Sequence, residues 1–130
     1  MKAFSFSNLF RLFVRLRYPV ALPEEIAEAL GIELSNDLAF SQFVSLLTSS
    51  NCQPTRLCRF MPRQQVEDAF KSAQKKERFK QDSLYSYYFN EGWLEFVLQF
   101  DTESRLRRIY VQHHTIKEER GIEIPLGRVS

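Results

Sequence analysis

The sequence predicts an α+β domain, with N-terminal helices packed on a three- to four-stranded antiparallel β-meander. Three observations carry this. Leu94, Phe96, Leu98 and Phe100 alternate with Trp93, Glu95, Val97 and Gln99, the period of a strand with one buried face. Polar turns flank that strand on both sides and keep its neighbours' apolar residues in phase with it. Upstream, apolar residues recur at helical spacing between Pro and Gly breaks.

A two-residue loop within Asn90-Glu91-Gly92 places Phe89, Tyr87 and Tyr85 on the same side as Leu94, Phe96 and Leu98. Gly92 is expected at positive φ in this turn. Taking Asp101-Thr102-Glu103-Ser104 as a four-residue loop pairs Phe100 with Arg105, Phe96 with Ile109 and Leu94 with Val111. A slip of one residue would turn each of these side chains to the wrong face. Ile122-Glu123-Ile124-Pro125-Leu126 also alternates and predicts an edge strand ended by Pro125.

Each helix has start and stop signals. Residues 1–20 fit a basic amphipathic helix, capped by Ser7, with Leu9, Phe13 and Leu16 on one side and Arg11 and Arg15 on the other. A targeting segment or a membrane-surface helix is the alternative for this stretch. Arg11, Arg15 and Arg17 interrupt the apolar run that a secretory signal needs, and no run approaches the ~18 residues of a membrane span. Pro23 suits a first helical position, Glu24 and Glu25 favour the helix dipole, and Gly31 stops the helix. A second helix is expected from Leu38 to Thr48. Pro62 opens a third with the stripe Val66, Ala69, Phe70 and Ala73, after a short strand at Thr55–Phe60. Gln74–Asp82 is expected to be a frayed helix end or a linker, and Val20-Ala21 is the other linker-like place.

A chain of 130 residues makes a single domain, 1–130, divided into a basic helix (1–20), a helical region (22–80) and a sheet (84–126). Twelve Phe and five Tyr imply a core built on rings, and only four Gly and five Pro exclude a disordered chain. Cys52 and Cys58 are too few for a disulfide framework; as reduced thiols they fit a cytoplasmic protein, and their bridging stays open. The net charge of +2 hides a basic block: residues 56–80 hold eight Lys and Arg against three acids.

The residues offer little for catalysis. Adjacent His113 and His114 on a strand point to opposite faces and cannot easily serve one ion. Cys52, Cys58 and a histidine match no metal-ligand spacing. The pairs Glu24-Glu25 and Glu118-Glu119 fit solvated charge, and there is no Gly-rich phosphate loop. No enzyme activity, metal or cofactor is therefore expected.

Glu25-Ile26-Ala27-Glu28-Ala29-Leu30-Gly31-Ile32 resembles the first helix and turn of a helix-turn-helix DNA-binding motif. The buried aliphatic required five residues after Ile32 is Asp37, and the following helix has no Lys or Arg to neutralise phosphate. A second resemblance is broader. Met61-Pro62-Arg63-Gln64-Gln65-Val66 and Leu94-Glu95-Phe96-Val97-Leu98-Gln99-Phe100-Asp101 resemble the small SmpA/OmlA-type outer-membrane assembly lipoproteins over residues 60–111. That resemblance implies a helix layer on an antiparallel sheet used for protein binding without catalysis. No glycine precedes Met61 and no lipidation cysteine follows a signal peptide, so it is carried to the layout and not to the location.

The expected function is binding of another protein through the outward face of the sheet. That face carries Tyr88, Trp93, Glu95, Arg108 and Tyr110, and aromatics and Arg are enriched at binding patches. The alternative is RNA or single-stranded nucleic acid. It would use Arg56, Arg59, Arg63, Lys71, Lys75 and Arg78 of the basic segment 56–80, together with Arg105, Arg107 and Arg108.

Overall fold

A computed structural model of the chain describes residues 21–34, 39–49, 52–113, 116 and 121–127. The expectations for residues 1–20, Leu38, His114 and Glu118-Glu119 lie outside these residues. The described chain is α+β. Three helices, α1 (Pro23–Leu30), α2 (Phe40–Leu47) and α3 (Arg63–Ala69), precede five strands. The strands are β1 (Lys75–Arg78), β2 (Asp82–Tyr88), β3 (Trp93–Phe100), β4 (Leu106–Gln112) and β5 (Ile122–Glu123), in one antiparallel meander ordered β1-β2-β3-β4-β5.

The alternation that predicted β3 is the one observed. Leu94, Phe96, Leu98 and Phe100 are buried, while Trp93, Glu95, Val97 and Gln99 are half-buried. The loop is Asn90-Glu91, with Tyr87 opposite Leu94 and Tyr85 opposite Phe96, which keeps the expected side chains on one face. Phe89 N–H closes that loop by donating to Gly92 C=O at 2.7 Å. Gly92 itself does not take the expected positive φ; among the described glycines Gly31 and Gly121 do.

The β3–β4 hairpin corrects the expected register without changing its phase. Asp101 N–H donates to Arg105 C=O, so the loop holds three residues, and Ser104 takes the left-handed conformation at φ 61°. The Asp101 carboxylate accepts the N–H groups of Glu103 and Arg105, each at 2.9 Å. Phe100 therefore faces Leu106 rather than Arg105. This one-residue shift would invert the rest of β4. A bulge restores it: Gln99 faces Arg108, leaving Arg107 as the extra residue. Beyond the bulge Leu98 faces Ile109 and Phe96 faces Val111, and all four are buried.

β1 overturns a second expectation. Residues 74–82 are neither helix end nor linker; Lys75–Arg78 form an edge strand along Ser83–Ser86. Lys, Glu and Arg favour helices, and the segment has no apolar alternation. Pairing to an adjacent strand overrides that local preference. Helix α3 ends before Phe70. Thr55–Phe60 is not a strand but contributes one bridge, Cys58 to Gly127. Of the linker-like pair Val20-Ala21 the second residue is described, and it is no linker: Ala21 is buried and its N–H donates to Tyr88 C=O.

The core lies between the helices and one sheet face. Phe70 stacks on Tyr85 with ring centres 5.0 Å apart and touches Phe96 at 5.5 Å, while Tyr87 meets Phe96 edge-on. Phe40 and Phe43 of α2 close on Phe89. Gly31 ends α1 at φ 75°, and a Cβ there would strike Thr55 and the Arg56 backbone. Only glycine fits that place without moving the 55–56 loop.

Arg63 locks the layers together. It is a charged residue only 5% exposed. One Nη atom donates to Phe79 C=O, Asp82 C=O and Ser83 Oγ at 2.8, 2.9 and 3.0 Å, and the other donates to Lys80 C=O at 2.8 Å. Its Nε faces the Glu67 carboxylate at 3.3 Å, and the guanidinium sits 4.6 Å from the centre of the Phe100 ring. Its backbone N–H donates to Ser104 C=O. One side chain thus satisfies the β1–β2 turn, while its backbone holds the β3–β4 turn.

Two predictions follow from this packing. Arg63→Ala leaves the Phe79 and Lys80 carbonyls without their donor and should cost about 3 kcal/mol in urea unfolding. Arg63→Lys should recover less than half of that, because an ammonium cannot span the four acceptors. Equal stability of all three proteins would refute the assignment. Burial pushes the Tyr85 and Tyr87 hydroxyls up to about 12. A raised folded-state value means the stability is fully present below ~10 and is lost as the pH rises through about 12. Ultraviolet titration should therefore show these two phenols ionising only as the protein unfolds in alkali.

Candidate functional site on the outward sheet face

The registers arrange the outward face in rows across the strands. Tyr88 pairs with Trp93 at one end. Lys75, Ser86, Glu95 and Gln112 form the next row. Glu77, Leu84, Val97, Tyr110 and Glu123 cross the whole sheet as the third. Asp82, Gln99 and Arg108 form the last. An apolar strip, Leu84-Val97-Tyr110, thus lies between charged rows and ends in a glutamate at each edge.

The five residues expected to form the site share this face but not its exposure. Arg108 is exposed; Tyr88, Trp93 and Glu95 are half-buried. Tyr110 is only 8% exposed, which corrects its expected place on an open surface. It stands fourth in the third row, between Val97 and Glu123, and is more buried than Val97 at the row's centre. Its hydroxyl pairs with the Arg108 guanidinium, which favours the charged form of that arginine. Leu84 and Val97 were not singled out by sequence, because short aliphatics in outward positions resemble ordinary strand residues. Their adjacency becomes visible only when β1 and β2 are aligned on β3.

Glu95 is the electrostatic centre of the face. Burial, then the nearby Glu77 carboxylate, pushes its carboxyl above the usual range, and Ser86 and Lys75 oppose that shift. Glu77 in turn pairs with Lys75 at 3.3 Å.

The basic residues do not converge on one surface. Arg63 is buried and spent on the fold, which removes it from any nucleic-acid surface. Arg56 and Lys71 line a groove of about 650 Å³ between α1 and α3, together with Glu25, Glu28 and Asp68. Arg56 also donates to Glu28 C=O. Lys75 faces Glu77, Arg78 faces Glu67 at 3.2 Å, and Arg105 faces Asp101 and Glu103. Arg59 and Arg107 are exposed.

Cys52 is buried and its thiol is pushed up by that burial; both cysteines are free. Among the described residues no group of three His, Cys, Asp or Glu could hold a metal ion. No described helix is long and apolar enough to cross a membrane. Compared with protein-family models, curated proteins and solved structures, the chain shows no match, so its site rests on its own geometry.

The Glu95 shift gives a pH prediction with a definite sign. A carboxyl whose folded-state value lies above its unfolded one contributes stability below the unfolded value, near ~4.3, and loses it as the pH rises through the raised value. Glu95→Gln should therefore raise the Tm at neutral pH, with the gain vanishing in acid near pH ~3.5. A gain that grew in acid would contradict the assignment.

Proposed function

We propose that this chain is a non-enzymatic protein-binding domain that uses the outward face of its sheet. The observation that carries the reading is the half-buried strip of Leu84 and Val97, continuous with Tyr110 and bounded by charged rows. An apolar centre inside a polar rim is the anatomy of protein interfaces. Glu95 and Arg108 on either side of the strip would select a partner by charge, and Trp93 would supply aromatic area. The layout agrees with the helix-on-sheet, protein-binding arrangement implied by the SmpA/OmlA-type resemblance.

Photo-crosslinking tests this in the cells that make the protein. A benzophenone side chain at Val97 should give one discrete protein adduct, and the same group at exposed Glu24 on α1 should not. Val97→Arg should remove the adduct formed from a probe at Leu84 while shifting the Tm by no more than about 4 °C. Identical adducts from positions 97 and 24 would refute the site.

A further inference from the structure

One end of the molecule combines three features that occur together nowhere else among the described residues. The β1–β2 turn, the β3–β4 turn and the loop before α3 meet there. Phe100 N–H donates to Gln81 C=O, Phe60 N–H donates to Leu106 C=O, and Arg63 binds both turns. The first feature is exposed aromatic surface. Phe60 and Phe79 are 45% and 52% exposed, the two large rings left most open to solvent among the described residues.

The second is backbone strain. Phe60 takes φ 71° and Ser104 takes φ 61°, the two described non-glycine residues in the left-handed region. A bulky residue there is a genuine outlier, and such outliers gather at functional sites. A glycine would take the Phe60 conformation without strain. The residue leaves more than two-fifths of its surface in water, so core packing accounts for only part of its presence.

The third feature is charge. Arg78 and Lys80 flank Phe79 in the chain, and the Arg105 guanidinium lies 5.8 Å from the centre of the Phe60 ring. Arg78 is paired with Glu67 and Arg105 with Asp101 and Glu103, so the charge available to a ligand rests on Lys80 and Arg107. Lys80 and Arg107 have no carboxylate partner among the described residues.

We infer that this end of the fold docks on an anionic phospholipid bilayer surface. Rings at loop tips enter the interfacial region, where aromatic side chains are favoured, and Lys80 and Arg107 meet the headgroup phosphates. Single-stranded nucleic acid would also attract the cations, but it asks for rings set along a groove or sheet. Here the two rings stand on separate loops at the tip, the arrangement that suits a planar surface. This site is distinct from the outward sheet face and does not depend on its role.

Vesicle co-sedimentation provides the test, with phosphatidylcholine vesicles and with vesicles containing about 30% phosphatidylserine, at about 0.1 M salt. The protein should sediment with the anionic vesicles and not with the neutral ones. Phe60→Gly and Phe79→Ser should together weaken binding by about tenfold. Phe60→Gly alone should leave the Tm unchanged or raised, since it relieves the strained backbone, so lost binding cannot be lost folding. Leu22 is 57% exposed and supplies the control. It sits at the opposite end, next to Ala21, whose N–H donates to Tyr88 C=O. Leu22→Ser should bind as the parent does. No binding to anionic vesicles would overturn the inference. So would binding indifferent to both rings, or tighter binding to an oligothymidylate than to the vesicles.

Discussion

The fold depends on one buried cation. Taking Arg63 out of water is expensive, and the expense is met only because nearly every donor of its guanidinium is used. Three backbone carbonyls of the 79–82 turn point at it; that of Asp82 also accepts from Phe79 N–H, but those of Phe79 and Lys80 would otherwise need solvent. Glu67 balances its charge and also accepts from Ser83 and pairs with Arg78. A helix of only seven residues, α3, would be marginal alone. Anchored by Arg63 at its first turn and by Val66 and Phe70 in the core, it ties the helical layer to both hairpins. The charged strand β1, which buries almost nothing apolar itself, is held in place by the same residue.

The β2–β3–β4 phase was legible in sequence because one face is buried and period-two alternation reports burial directly. Two successive shifts in the second hairpin were not legible. A four-residue and a three-residue polar loop look alike at Asp101–Ser104, and nothing in Arg107-Arg108 marks a bulge. The phase survived because the two shifts cancel. β1 escaped for a different reason: Lys75–Arg78 carries helix-forming charged residues, and only contact with β2 makes it a strand. The Gly31 stop and Pro23 start were legible because each rests on a backbone property of a single residue type.

The candidate site was read in part. Sequence placed Tyr88, Trp93, Glu95, Arg108 and Tyr110 on one face, and the registers keep them there. It could not rank their exposure, since alternation assigns a residue to a face and not a degree of burial within that face. Tyr110 is closed, while Leu84 and the central Val97, less conspicuous in composition, are half-buried and form the rest of the strip. Arg63 shows the converse error. Within a run of bases it looks like solvated charge, and only its surroundings reveal a structural cation. A basic block is therefore a poor guide to a basic surface, because each member can be claimed by a different carboxylate or carbonyl.

The central role given to Arg63 is open to direct observation by nuclear magnetic resonance of its side chain. Hydrogen bonds to Phe79, Lys80, Asp82 and Ser83 should stop rotation of the guanidinium. Separate, slowly exchanging Nη protons should then appear, with Overhauser contacts to residues 79–83 and an upfield shift from the Phe100 ring. A single averaged Nη signal exchanging rapidly with water would mean that the guanidinium is mobile and solvated, and the two layers would have to be joined by something else.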